Sequence, residues 1–140
     1  MRKFLLIPIF LSLIGCTSIH LTPDKAIVVP PVAYPEPTKE RPIKVTLMRD
    51  HGVYAGAGLT YHVFDNGERV GQLESREMTT YYAEEGQHAI TLGSSVIANN
   101  APKANEANFT SGHFSTFKIG EEPEFHFGVS QGLPYLIREK

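Results

Sequence analysis

Leu59-Thr60-Tyr61-His62-Val63-Phe64-Asp65-Asn66-Gly67-Glu68-Arg69-Val70-Gly71-Gln72-Leu73 decides the fold class. Leu59, Tyr61 and Val63 alternate with Thr60, His62 and Phe64, the period of a strand with one buried face. Asn66-Gly67 interrupts the alternation. A two-residue turn that follows the twist of paired strands needs positive φ at both central positions, and Asn-Gly supplies it at least cost. The stretch therefore reads as an antiparallel hairpin.

The same period extends on both sides. Ile43, Val45 and Leu47 alternate with Lys44, Thr46 and Met48, and Arg49-Asp50 ends the run. A glycine-rich loop, 52–58, links this strand to the hairpin; Gly56 and Gly58 allow a bend or bulge. It lacks the GK[ST] ending of a phosphate loop. Met78 to Ala83 is a further strand, Glu84-Glu85-Gly86 turns the chain, and Gln87 to Leu92 returns. Residues 98–108 carry four asparagines and Pro102 without apolar period, so they read as a long surface loop. Phe114 to Ile119, Glu124 to Val129 and Leu133 to Arg138 complete the set. No ten-residue segment has a convincing helical period. The expectation is an all-β domain over 43–140, a small sandwich or barrel of about seven to eight antiparallel strands.

The N-terminus carries the most specific signal. Met1-Arg2-Lys3 precedes an apolar run from Phe4 to Ile14, then Gly15 and Cys16, the sole cysteine. This order resembles a bacterial lipoprotein precursor. The run is too short for a bilayer span, which takes about 20 apolar residues, and no later segment is long enough. The resemblance implies cleavage between Gly15 and Cys16, removal of residues 1–15, and acylation of the Cys16 thiol. Several acyl chains make a stable anchor where one is marginal. In such precursors an Asp after the cysteine marks inner-membrane retention; Thr17 stands there instead, implying an outer-membrane anchor with the domain facing the periplasm.

Residues 17–42 hold six of the ten prolines, Pro23, Pro30, Pro31, Pro35, Pro37 and Pro42. With lipidated Cys16 they form an expected tether over 16–42, reaching roughly 80 Å if fully extended. Ala26 to Val29 is its apolar exception, expected to dock as an edge strand.

Charge narrows the partners. Thirteen basic residues face fifteen acidic ones. Loss of Arg2 and Lys3 with the leader leaves a net charge of −4. No basic stripe exists to follow a phosphate backbone, so nucleic acid is excluded. With Cys16 acylated, no thiol remains for a disulfide.

The middle of the chain also resembles a family of small bacterial lipoproteins sharing a domain of unknown function. The resemblance lies in Asp65 to Leu73 and in Tyr81-Tyr82-Ala83-Glu84-Glu85-Gly86-Gln87-His88-Ala89-Ile90. In that family a turn precedes an x-V/I-G-x-L strand, and an aromatic strand leads to a P-G-x-H turn; here Glu85 stands in place of the proline. It implies an all-β extracytoplasmic domain over roughly 43–138 and transfers no catalytic residue.

No residue pattern requires catalysis or a cofactor. His62, His88, His113 and His126 lie on or beside strands without ligand spacing, and are expected at surfaces or edges, with no metal. His126 should face away from Phe125 and Phe127. Ser111 or Ser115 with His113 would be the raw material of a nucleophilic triad, but no Gly-x-Ser-x-Gly elbow supports it. Glu84 and Glu85 point apart, unlike a glycosidase carboxylate pair. The aromatic residues Tyr54, Tyr61, Tyr81, Tyr82, Phe109, Phe114, Phe117, Phe125, Phe127 and Tyr135 are expected to build the core. Tyr81 and Tyr82 face opposite ways, so one is expected exposed, where it would stack on a sugar or a protein. The reading that follows is a non-enzymatic envelope lipoprotein binding a protein partner. The alternatives are a carbohydrate or peptidoglycan binder using Tyr81 or Tyr82, and a small hydrolase or metal binder centred on His113.

Overall fold

Asn66 (φ 49°) and Gly67 (φ 83°) both adopt the left-handed conformation their turn requires. They join β3 (Thr60–Asp65) to β4 (Glu68–Leu73) in an antiparallel pair. A register shift between Val63 and Phe64 lets Val70 bulge. The computed structural model describes residues 18–52, 58–95, 109–130 and 133–140. The leader, Gly15 and Cys16 lie outside them, as do most of the glycine-rich loop and the whole of the loop expected at 98–108.

The described residues form a β-sandwich. One sheet runs in the order β1 (Ile27–Val28), β5 (Glu77–Ala83), β2 (Ile43–Arg49), β8 (Glu124–Ser130), β9 (Leu133–Arg138). The other runs β4, β3, β6 (Gly86–Ser95), β7 (Phe109–Phe117). Ile43, Val45 and Leu47 are buried with Val63, Leu73, Ile90, Leu92 and Phe125, so the alternation in β2 did point its apolar face inward. Aromatic residues fill much of the space between sheets: Tyr61, Tyr81, Phe117, Phe125 and Phe127 are all buried. Phe114 departs from expectation. It is 86% exposed on β7, on the face opposite Ser115 and Phe117.

Two details of topology differ from an all-antiparallel design. β2 pairs in parallel with β8, and β1 in parallel with β5. Glu84-Glu85 also does not close a hairpin: β5 and β6 belong to different sheets, so this short turn carries the chain across the sandwich. Sequence alternation reports which face is buried, not which strand lies alongside.

The expected tether is corrected more substantially. Residues 18–42 lie on the domain. Ser18 N–H donates to Val129 O, Ile19 and His51 exchange backbone hydrogen bonds, and Leu21 is buried. The docking expected of Ala26 to Val29 takes place, with β1 on β5. Beyond it, Val29 N–H donates to Met78 O, Val32 N–H to Val70 O, and Tyr82 N–H to Tyr34 O. This strap thus stitches β5 of one sheet to β4 of the other. Proline lacks a donor and fixes φ, which bars a helix but suits an extended strap along an edge. At the opposite margin Arg138 on β9 donates to Ser115 Oγ at 2.6 Å and Thr116 O at 3.0 Å on β7, bridging the second pair of edges. Covered margins protect a sandwich from pairing with other chains.

Candidate functional site

Two polar clusters lie at opposite ends of the sandwich. The first forms where β2 ends. Asp50, just past β2, is buried and accepts hydrogen bonds from Leu21 N–H (2.9 Å), from the Tyr135 hydroxyl and from His126 Nδ1 (3.0 Å). Burial disfavours its charge, but these donors prevail and hold its carboxyl below the usual range. His126 is 1% exposed. Its Nε2 faces Glu124 Oε1 at 2.9 Å and Glu139 Oε2 at 3.4 Å. Burial works against the cation, yet the hydrogen bonds to Asp50 and Glu124 outweigh it and raise its pKa. His20 stacks on this ring, 4.4 Å between centroids. A shallow groove of about 390 Å³ runs beside the cluster, lined by Ser18, His20, Asp50, Ser130, Tyr135 and Ile137.

Elsewhere β3, β5 and β6 meet around Asp65. It accepts from His88 Nδ1–H (2.6 Å) and from the Tyr81 hydroxyl (2.9 Å). His88 Nε2–H donates to Glu84 O at 3.0 Å, so the ring pins the turn that crosses between sheets. Burial opposes its charge, but Asp65 and the Glu84 carbonyl raise its pKa. Phe117 stacks on the ring at 4.0 Å. A cavity of about 230 Å³ opens here, lined by residues including Tyr34, Arg41, Glu68 and Glu84. Arg41 closes one side, 3.6 Å over the Tyr34 ring and 2.9 Å from Glu84.

These arrangements define the chemistry. Both ring nitrogens of His88 and of His126 face acceptors, which favours the protonated ring and ties two segments together. The expectation of surface histidines is therefore corrected for His62, His88 and His126, which are all buried. His126 does face away from Phe125 and Phe127, and His20 and Leu21 of the proline-rich segment lie over that side, whereas His88 shares the inner face of β6 with Ile90 and Leu92. His62 is shifted the other way. Burial and Arg69 lower its pKa, and the neutral ring bonds Ser95 Oγ at 2.8 Å. A divalent cation would find donor atoms within 4.8 Å of one another in Glu124, His126 and Glu139, or in His20, Asp50 and His126. Either trio would draw a ring nitrogen of His126 away from its carboxylate partner, and Lys140 already holds Glu124 at 3.1 Å.

The remaining expected sites separate. His113 meets the Phe125 ring edge-on, 5.7 Å between centroids, while Ser115 accepts from Arg138; no hydrogen bond joins His113 to Ser111 or Ser115 among the described residues. Tyr81 is buried and spends its hydroxyl on Asp65, so it cannot stack on a ligand. Tyr82, its neighbour in sequence, is half-buried on the outer face beside Lys44. Asp50 escaped the sequence reading, whereas Glu124-x-His126 held a usable signal: residues two apart on a strand share a face. Comparison with known proteins found no matching family model, curated protein or solved structure. No described helix is long and apolar enough to cross a membrane.

Proposed function

We propose that this chain is a lipid-anchored protein of the outer membrane, acylated at Cys16, whose sandwich faces the periplasm as a non-enzymatic structural or protein-binding module of the envelope. The observation that carries the non-enzymatic part is the saturation of His88 and His126. Each buried ring commits both nitrogens to carboxylates or a carbonyl. A ring so fixed ties the fold together, and neither of its nitrogens is open to a substrate. The anchor rests on the charge–apolar–Gly15–Cys16 order. Its mechanism differs from a reaching arm, because the segment after the anchor is bound to the domain. Location is set by lipid, and loops and strand margins meet the partner.

Replacement of Cys16 by Ser tests the anchor: fatty-acid labelling and membrane retention should both vanish. A mutant that still fractionates with membranes through its N-terminus sinks the reading. Cross-linking in intact cells should recover one stoichiometric protein partner. The resemblance to small bacterial lipoproteins favours the same assignment. A glycan-binding role now rests on Tyr82 alone, and peptidoglycan pulldown unchanged by Tyr82→Ala would remove it.

A further inference from the structure

The cavity beside Asp65 lies where the strap meets the β3–β4 turn and the β5–β6 crossing. Val70, Asp65 and His88 are buried and form its inner wall. Tyr34 and Arg41 are half-buried, and Asn66, Glu68 and Glu84 stand exposed at the rim. Its volume of about 230 Å³ is many times what one water needs. It falls short of the roughly 300–1,000 Å³ of pockets that take drug-sized ligands. A single side chain or a very small molecule fits that size.

Charge selects among such occupants. Three carboxylates line the cavity, and two have a basic neighbour: Asp65 faces His88 at 2.6 Å, and Glu84 faces Arg41 at 2.9 Å. Glu68 differs. It accepts a hydrogen bond from the neutral Tyr34 hydroxyl, and no basic group among the described residues pairs with it. An anion would meet Glu68 and Glu84 at the rim, with Arg41 already turned to Glu84 and both His88 nitrogens facing acceptors. A cation meets a carboxylate that lacks a countercharge.

Tyr34 adds an independent feature. Its φ is 56°, in the left-handed region that a bulky residue rarely adopts. Its carbonyl accepts from Tyr82 N–H, which pins the strap where the ring reaches the cavity. The ring already carries one cation, since the Arg41 guanidinium lies 3.6 Å from its centroid. Val70 supplies an aliphatic wall. Aromatic face, aliphatic wall and free carboxylate charge together match a cation carried on a short carbon chain.

We propose that this cavity binds a primary alkylammonium group, its charge against Glu68 and its carbon chain along Val70 and Tyr34. The group belongs to a small amine or to a lysine side chain of a protein partner; both present the same three N–H donors. The site is independent of the anchor at Cys16.

The test uses the full-length, isotope-labelled protein in detergent micelles at neutral pH, with nuclear magnetic resonance following the backbone amides. The probes are butylamine and a blocked tripeptide with a central lysine, and butyrate is the anionic control. Both amines should shift the Glu68 and Glu84 amides saturably, and butyrate should not. Glu68→Gln should weaken amine binding at least about tenfold, as loss of a charge-assisted hydrogen bond does. Glu74→Gln, just past the far end of β4, should leave it unchanged. Both substitutions are at exposed positions, and circular dichroism verifies the fold. Peptide binding tighter than that of butylamine assigns the site to a protein lysine; equal or weaker peptide binding assigns it to a small amine. No saturable shift with either amine, undiminished binding in Glu68→Gln, or butyrate binding as tightly as butylamine overturns the assignment.

Discussion

Ser18 Oγ lies 2.7 Å from the point where a Cβ on Gly128 would sit, and Ser18 Cβ lies 3.0 Å from it. The N-terminal segment crosses the sheet through a gap that only glycine leaves open. Gly128→Ala must push Ser18 off Val129, and over-packing of this kind costs about 1–3 kcal/mol. Hydrogen exchange should then accelerate at Ile19 and His51, whose amides pair with each other's carbonyls. Gly112→Ala is the control. Its nearest contact would be an ordinary 3.5 Å to a Thr91 methyl, so exchange there should not change.

Stability should fall at both ends of the pH scale. His88 and His126 have raised pKa values in the folded state, so their contribution is complete below the unfolded histidine value and is lost as pH rises through the folded ones. Asp50 and Glu124 are lowered, so their contribution is complete above the unfolded carboxyl values and is lost as pH falls through the folded ones. Melting temperature against pH should therefore show a plateau with two shoulders. His88→Gln should flatten part of the alkaline shoulder and leave the acid shoulder alone. An unchanged alkaline limb in His88→Gln and His126→Gln would rule out this account.

Asp50→Asn should be among the most damaging single changes. It removes the charge facing His126 in a buried setting and leaves one donor of the Leu21, Tyr135 and His126 set without an acceptor. Breaking a buried pair in this way costs about 3–5 kcal/mol. Tyr135→Phe removes one hydrogen bond and should cost about 1–3 kcal/mol. Urea denaturation of the two variants measures the order.

Tyr81 and Tyr82 should behave oppositely. Tyr81→Ala empties a site in the core and removes one of the two side-chain donors to Asp65, a loss of about 3–5 kcal/mol on cavity grounds. Tyr82→Ala trims a half-buried outer-face side chain and should stay within about 1 kcal/mol. Equal losses in thermal melts would show that both side chains are core.

The legible part of this fold was local. Asn66-Gly67 announces its turn through backbone chemistry, and Ile43-Val45-Leu47 announces a buried face through periodicity. Neither carries information about distant partners, so the parallel alignment of Thr46 with Glu124 left no trace in the sequence pattern. The Glu84-Glu85 turn looked like a hairpin because turn residues mark a change of direction without marking a change of sheet. The strap was misread for a different reason. Its prolines dominate the composition, while the residues that bind it to the domain, Leu21, Val29 and Tyr34, are few and widely spaced. The Asp50–His126 cluster was hidden with it, since a histidine on an outer face is exposed only if nothing lies over that face.

The central strand β2 finds its second neighbour in β8, and the margin of the sandwich is closed by Arg138 on β9. Ser18 is joined to Val129, 111 positions later. The four-stranded sheet is complete within residues 60–117, but the five-stranded sheet needs strands from both ends of the chain, and its long loops must close before their contacts contribute. A chain made available in sequence order would complete the four-stranded sheet first and leave the five-stranded one open until β8 and β9 arrive. The topology thus makes closure of the sandwich the last event, since the segment at Ser18 finds its partner strand only near the end of the chain.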